Sequence, residues 1–229
     1  MQTRSGIEAI LFDWNNTLVQ FTWDDDLLEE GHRAGLAAAG SEQDAATFTE
    51  RYRELVLNGA TPADDYGDLL RELGVDAADR FIDAEHEVWR PAHEALGSAQ
   101  ALLDALRSRG IKTGLVANSW PDPARLLRAD VEAFGLTDQF DVIVFSEEVG
   151  FRKPQPEIFL HALTQLGVNP ENAMFVGDRL DTDVQGAALV GMATVQALWF
   201  RADDTPGIEP DFMAFTPMDV LNAVRRLAL

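Results

Sequence analysis

Apolar and polar positions fall into two regimes along this chain. Residues 7–12 (IEAILF) make a short apolar run that stops at an acidic, polar turn, the signature of a buried strand. From about 24 to 95 strand signal is scarce, and apolar residues recur at helical spacing near 24–39, 43–57, 62–73 and 76–90. Gly40-Ser41, Asn58-Gly59 and Gly74 stand between these stretches as helix stops. Four helices with short connections predict a small helical bundle.

Beyond Ser98 the rhythm becomes an alternation. Ser98 is placed to cap a helix that carries Leu102, Leu103 and Leu106 and ends at Gly110. A strand at 111–117 (IKTGLVA) follows, then a helix entered through Asp122-Pro123 and running to Phe134. Next come a strand at 141–146 (DVIVFS), a helix at 155–166 and a strand at 173–177 (AMFVG). A short helix near 182–190, a strand near 192–198 and a final helix from Thr216-Pro217 complete the series, the last burying Val220, Val224 and Leu227. Alternation of this kind predicts an α/β fold: a Rossmann-like parallel sheet with helices on both faces, plus the α-helical bundle.

In such sheets the ligand site lies beyond the carboxyl ends of the strands. The chemically suggestive clusters all follow expected strands: Asp13–Thr17, Asn118-Ser119, the Gly150–Pro154 stretch and Asp178–Asp183. A carboxylate at the end of an apolar strand, as at Asp13, is costly unless it meets a cation or a hydrogen-bond donor. An Asx turn closing the strand is the plainer account of the same residue. Asp178, Asp181 and Asp183 form an oxygen-rich cluster suited to a hard cation such as magnesium. Asp181 also fits as a helix cap, whereas Asp178 and Asp183 read as ligands. Lys153 stands between a strand and a helix with Pro154 fixing the turn, a candidate bridge between a nucleophile and a bound anion.

Composition narrows the setting. With 46% hydrophobic and 25% charged residues the chain is that of a globular protein. No apolar run reaches the ~20 residues of a membrane-spanning helix, and the start of the chain lacks the basic-then-apolar order of a signal peptide. The absence of cysteine excludes disulfides and thiolate metal sites, and a cytoplasmic location is expected. A net charge of −21 repels nucleic acid and anionic lipid, so neither is an expected partner. It repels anionic small molecules too, so a phosphate site needs a local metal ion, lysine or arginine. Solubility, for instance in a salty cytoplasm, accounts for the acidity itself.

Taken together, FDWNNTL (12–18), the strand ending before Asn118, RKPQPEIF (152–159) and GDRLDTD (177–183) resemble the signature of the haloacid-dehalogenase-like superfamily. The resemblance spans the chain in the family's order. It implies a core of 1–18 and 97–229 and a helical cap of 19–96. It further implies a phosphatase acting on a small phosphorylated metabolite, with Asp13 as covalent nucleophile and Mg2+ held by Asp13, the Asn15 carbonyl, Asp178 and Asp183. Lys153 would hold the transferring phosphoryl group, with Thr17 and Asn118 supporting its pocket.

Two positions depart from the family pattern. Asn15 stands where phosphatases of the family carry a second aspartate as general acid and base, which predicts slow turnover and a long-lived aspartyl-phosphate. Ala117 stands where a serine or threonine is usual, and Ser119 either replaces that hydroxyl or caps the turn before Pro121. A hydrolytic dehalogenase would share the missing aspartate but leave GDRLDTD unexplained. Schiff-base chemistry from the cap is excluded, because no lysine precedes Lys112. A non-catalytic member that binds a phosphometabolite or a protein is the other alternative. Trp14 is expected at the site entrance, contacting substrate or packing, and Trp23 in core or hinge packing. Trp89, Trp120 and Trp199 read as packing residues. His32, His86, His93 and His161 lack metal-ligand spacing and read as ordinary helix residues.

Overall fold

A strand buried on both faces needs apolar residues without alternation, and Ala9–Phe12 supplies four in a row, all buried. The computed structural model describes residues 6–57 and 65–227. Its strands are β1 (Ala9–Phe12), β2 (Val19–Phe21), β3 (His93–Ala95), β4 (Lys112–Ala117), β5 (Val142–Phe145), β6 (Ala173–Gly177), β7 (Ala193–Ala197) and β8 (Phe212–Ala214). Its α-helices are α1 (Asp25–Ala39), α2 (Ala45–Tyr52), α3 (Tyr66–Glu72), α4 (Ala78–Trp89), α5 (Ala99–Arg107), α6 (Ala124–Ala133), α7 (Ser146–Val149), α8 (Pro156–Leu166), α9 (Gln185–Val190) and α10 (Asp219–Leu227). π-helical turns at Arg53–Leu57 and Leu180–Val184 extend α2 and precede α9.

The chain divides into two units. One comprises residues up to Gln20, Ala95–Ser119 and Arg128 onward, and contains a six-stranded sheet of order β5-β4-β1-β6-β7-β8. Every pairing in it is parallel. β1 is central, with Phe12 level with Leu115 of β4 and Val176 of β6. Ala9 and Leu11 face a core with Phe159, Leu163 and Phe175, the side covered by α8. α5 packs against β4. This is the expected α/β, Rossmann-like architecture.

The other unit comprises Phe21–Glu94 with Trp120–Leu127 and is helical. Three of its helices begin on aspartates whose carboxylates accept backbone N–H bonds: Asp24 before α1, Asp44 before α2 and Asp65 before α3. This satisfies donors that a helix start otherwise leaves open. Gly40 ends α1 in the left-handed conformation. α1 packs on α4 through Gly35, where a Cβ would lie 2.7 Å from the Phe81 ring. The surrounding core includes Phe48, Tyr52, Leu70 and Phe81.

Several expectations need correction. The short strands β2 and β3, which pair with each other, and the edge strand β8 were not foreseen. Three residues are too few to display a period. Ser146 begins the single-turn helix α7 instead of ending a strand. Ser98 precedes α5 but makes no side-chain cap bond. The Asp122 carboxylate lies 2.8 Å from His86 Nδ1, and Trp120–Leu127 groups with the helical unit and not with the sheet. Val224 is only half-buried, Leu221 and Ala223 taking its place in the core beside Val220. The side chain of Leu227, the Asn58-Gly59 stop and the first residues of the helix expected at 62–73 lie outside the described residues.

Candidate metal-assisted active site

The central strand order decides what can meet. β4, β1 and β6 are neighbours, so the segments leaving their carboxyl ends emerge side by side. Asp13 continues β1, its N–H donating to the Val176 carbonyl at 2.9 Å. Asn16 then takes a positive φ of 55° and donates its N–H to the Val19 carbonyl, reversing the chain within a few residues. Asparagine tolerates that left-handed conformation better than most side chains. Trp199 Nε1 donates to the Thr17 carbonyl at 2.9 Å and braces the turn from the segment after β7.

Asp178 follows β6 directly, and Asp183 lies in the π-helical turn Leu180–Val184 that comes next. Asp183 sits against Gly177, where any Cβ would collide with its carboxylate. The Arg179 N–H donates to Asp183 Oδ2 at 3.1 Å. Asp13, Asp178 and Asp183 are all buried, and each offers an oxygen within 4.8 Å of the others.

Lys153 joins the group. Its Nζ donates to Asp13 Oδ1 at 2.5 Å and lies 2.7 Å from Asp183 Oδ1. Asn118 is spent on holding this lysine: its Oδ1 accepts the Lys153 N–H at 2.8 Å and its Nδ2 donates to the Lys153 carbonyl at 3.1 Å. Both ends of the amide are therefore engaged with backbone. Ser119 donates its N–H to Ser146 Oγ at 2.8 Å. Ser146 is a participant that sequence reasoning missed, since it was read as the end of a strand.

Burial, the largest influence, works against the charge of Lys153, but Asp13 and Asp183 hold its amine above the ordinary lysine range. Burial first, then repulsion from Asp13 and Asp183, pushes the Asp178 carboxyl up to about 8. Burial likewise raises Asp183, to about 6, although Lys153 opposes the shift. Three carboxylates facing the Lys153 ammonium and the Arg201 guanidinium leave a deficit of positive charge. Among the described residues, Asn15 Oδ1 and Thr17 Oγ1 are buried without a hydrogen-bond partner, while Asp183 Oδ1 and Asp178 Oδ2 lie 2.7 Å from the cations Lys153 and Arg201. Orphaned oxygens of this kind are costly, and an all-oxygen donor set fits a hard divalent cation.

Trp14 needs correction as an entrance residue. It is 1% exposed and packs on Phe134, with ring centroids 6.1 Å apart. The reversal after Asp13 turns the next side chain into the core. Trp23, expected in core or hinge packing, does pack on Phe21 and Trp89, with ring centroids 6.4 and 5.3 Å apart, while 46% exposed. Asp181 pairs with Arg179 at the surface, apart from the buried cluster. Ala117 is buried and offers no hydroxyl.

The chain is similar to known proteins over most of its length. A glyceraldehyde 3-phosphate phosphatase of Methanopyrus kandleri is 33% identical over 245 residues, covering 97% of this chain and 99% of that protein. One from Pyrococcus abyssi is 29% identical over 85% of this chain and 82% of that protein. The crystal structure of a phosphatase from Thermococcus onnurineus superposes with a TM-score of 0.72 at 24% identity, covering 95% of this chain and 98% of that one. The sequence profile of the family described as haloacid dehalogenase-like hydrolase matches residues 7–191, and the chain belongs to that family of hydrolytic enzymes.

Proposed function

We propose that this hydrolase is a magnesium-dependent phosphatase of small phosphorylated metabolites. The observation that carries the proposal is the buried convergence of Asp13, Asp178 and Asp183, three acids gathered on Lys153 and Arg201 with oxygens within 4.8 Å of one another. Asp13, Asp178, Asp183 and the Asn15 carbonyl would hold Mg2+, which when bound offsets negative charge on the phosphoryl group.

Asp13 attacks phosphorus through a carboxylate oxygen. The bond to the leaving oxygen breaks, and the phosphoryl group is carried as an acyl phosphate until water releases inorganic phosphate and restores the carboxylate. The Lys153 ammonium, fixed by Asn118, stabilises charge on the transferring group. Thr17, with its free hydroxyl, and Ser119 are assigned to the phosphate pocket. Asn15 can orient a leaving oxygen or a water but cannot give or take a proton. Aryl phosphates, whose leaving groups need little protonation, are therefore the favoured probes. Relatives similar over most of this chain are named for glyceraldehyde 3-phosphate, which makes that the first metabolite to assay. Substrate selection is assigned to the helical unit as a cap, on the strength of its insertion directly after the first motif.

The test is hydrolysis of p-nitrophenyl phosphate with Mg2+ and with EDTA, in the wild type and in Asp13→Asn. Activity that needs Mg2+ and vanishes in the variant is expected. Activity that survives either change overturns the reading. Asn15 also favours a second reading, a phosphometabolite sensor, for which beryllium fluoride and Mg2+ would bind while no phosphate ester is turned over.

A further inference from the structure

The segment after β7 supplies a cation that no motif predicted. Arg201 Nε lies 2.7 Å from Asp178 Oδ2, and while Asp178 is buried, the Arg201 side chain is 43% exposed. The contact is one of charge without hydrogen-bond alignment, since Asp178 Oδ2 remains without a hydrogen-bond partner among the described residues. Its surroundings fix the approach. Trp199 Nε1 is tied to the Thr17 carbonyl, and Asp203 Oδ2 accepts the Leu180 N–H at 2.7 Å. Gln196 Nε2 donates to the Asp203 carbonyl at 2.6 Å. The loop is thereby anchored on both sides of Arg201, to the nucleophile's turn and to the acidic turn, and carries the half-exposed guanidinium to Asp178.

We infer that Arg201 is a tethered counter-cation of the metal-free site, which must leave Asp178 when a divalent cation binds and so sets the affinity for that cation. The charge count supports displacement. In the ionised form that metal ligation requires, Asp13, Asp178 and Asp183 carry three negative charges against the single positive charges of Lys153 and Arg201. A divalent ion that replaces Arg201 brings the cluster to neutrality, whereas one that joins it leaves two cations competing for the same carboxylate. Magnesium also demands near-octahedral oxygen ligands at about 2.1 Å, a geometry hard to complete around a carboxylate oxygen already contacted by a guanidinium. The partial exposure of Arg201 gives it solvent to move into. Arg201 is thus a positioning residue: it stabilises the empty site and weakens the filled one.

This inference rests on the proposed cation site, and titration calorimetry of the metal-free full-length protein with MgCl2 separates the two. Arg201→Ala and Arg201→Gln should bind Mg2+ about tenfold more tightly than wild type, a coupling of ordinary size between two ligands of one site. Arg201→Lys, which keeps the charge, should stay near the wild type. The metal-free alanine and glutamine variants should melt below the wild type and gain more from added Mg2+. A merely structural role for Arg201 predicts the opposite sign, weaker Mg2+ binding in the variants. Unchanged or weaker affinity, with wild type binding normally, overturns the role of Arg201 alone. No Mg2+ binding by wild type or any variant overturns the cation site together with it.

Discussion

Both units bury ionisable groups, yet they differ in how many acids they gather in one place. In the helical unit Glu85 accepts from the Tyr66 hydroxyl at 2.8 Å, His32 Nδ1 lies 2.7 Å from Thr49 Oγ1, and His32 Nε2 lies 3.5 Å from Glu85 Oε1. Burial is the leading cause in each case: it raises Glu85 to about 8 and lowers His32 to about 4, so both are neutral at pH 7. In the sheet unit burial raises Asp178 to about 8 as well, but there three acids with oxygens within 4.8 Å of one another gather on two cations, Lys153 and Arg201. Neutralised and paired groups hold a fold together. A persistent imbalance of buried charge calls for something from outside the chain, and that difference is the ground on which the carboxyl ends of the central strands are proposed as the working end.

The sharpest way to break this contrast is at Lys153. Lys153→Met should lower p-nitrophenyl phosphate turnover by ~10³-fold, since it removes charge stabilisation from the transferring group. It should also lower the melting temperature of the metal-free protein, because three acids would then face one another. Normal turnover would show that the ammonium is ornamental.

Asn15→Asp comes next. Restoring a proton donor should speed hydrolysis of an alkyl phosphate such as glyceraldehyde 3-phosphate by ~10²-fold, with a much smaller gain on aryl esters. A steady-state comparison of the two ester classes reads this directly, and equal gains would remove Asn15 from the account.

The helical unit is tested by pH. Glu85 has a folded value above its unfolded one, so its contribution is fully present below about 4.5 and is lost as pH rises through about 8. Denaturant unfolding with EDTA should therefore show Glu85→Gln gaining on the wild type between pH 6 and 9, by roughly 2 kcal/mol. A parallel pH course for the two proteins would contradict a neutral Glu85. The smallest effect is expected at Gly35. Alanine there improves helix propensity by ~1 kcal/mol but must push aside the Phe81 ring, at ~1–3 kcal/mol. A net loss of about 1 kcal/mol should appear in urea unfolding at either pH.

The residues that sequence reasoning located best are those constrained by a strand end. Asp13, Asn118 and Asp178 each follow an uninterrupted apolar run, and a parallel sheet brings such runs into register. Lys153 was legible because proline and a helix start follow it. Side-chain direction was not legible: the left-handed Asn16 turns Trp14 inward, and no residue period reveals that. Ser146 and Arg201 were invisible for a related reason, since their roles depend on where short irregular segments fold back. The polar circuit of His32, Thr49, Glu85 and Tyr66 was equally hidden, each member looking like an ordinary position on an amphipathic helix.

Lys153 and Lys112 are the chain's two lysines. Lys112 is exposed with its amine on the Leu166 carbonyl, while Lys153 is 3% exposed among the acids. An acylating reagent thus meets one accessible side-chain amine and one sheltered, protonated amine. The rate at which peptide mass spectrometry finds Lys153 labelled becomes a built-in clock for solvent entry, readable with no substrate in hand.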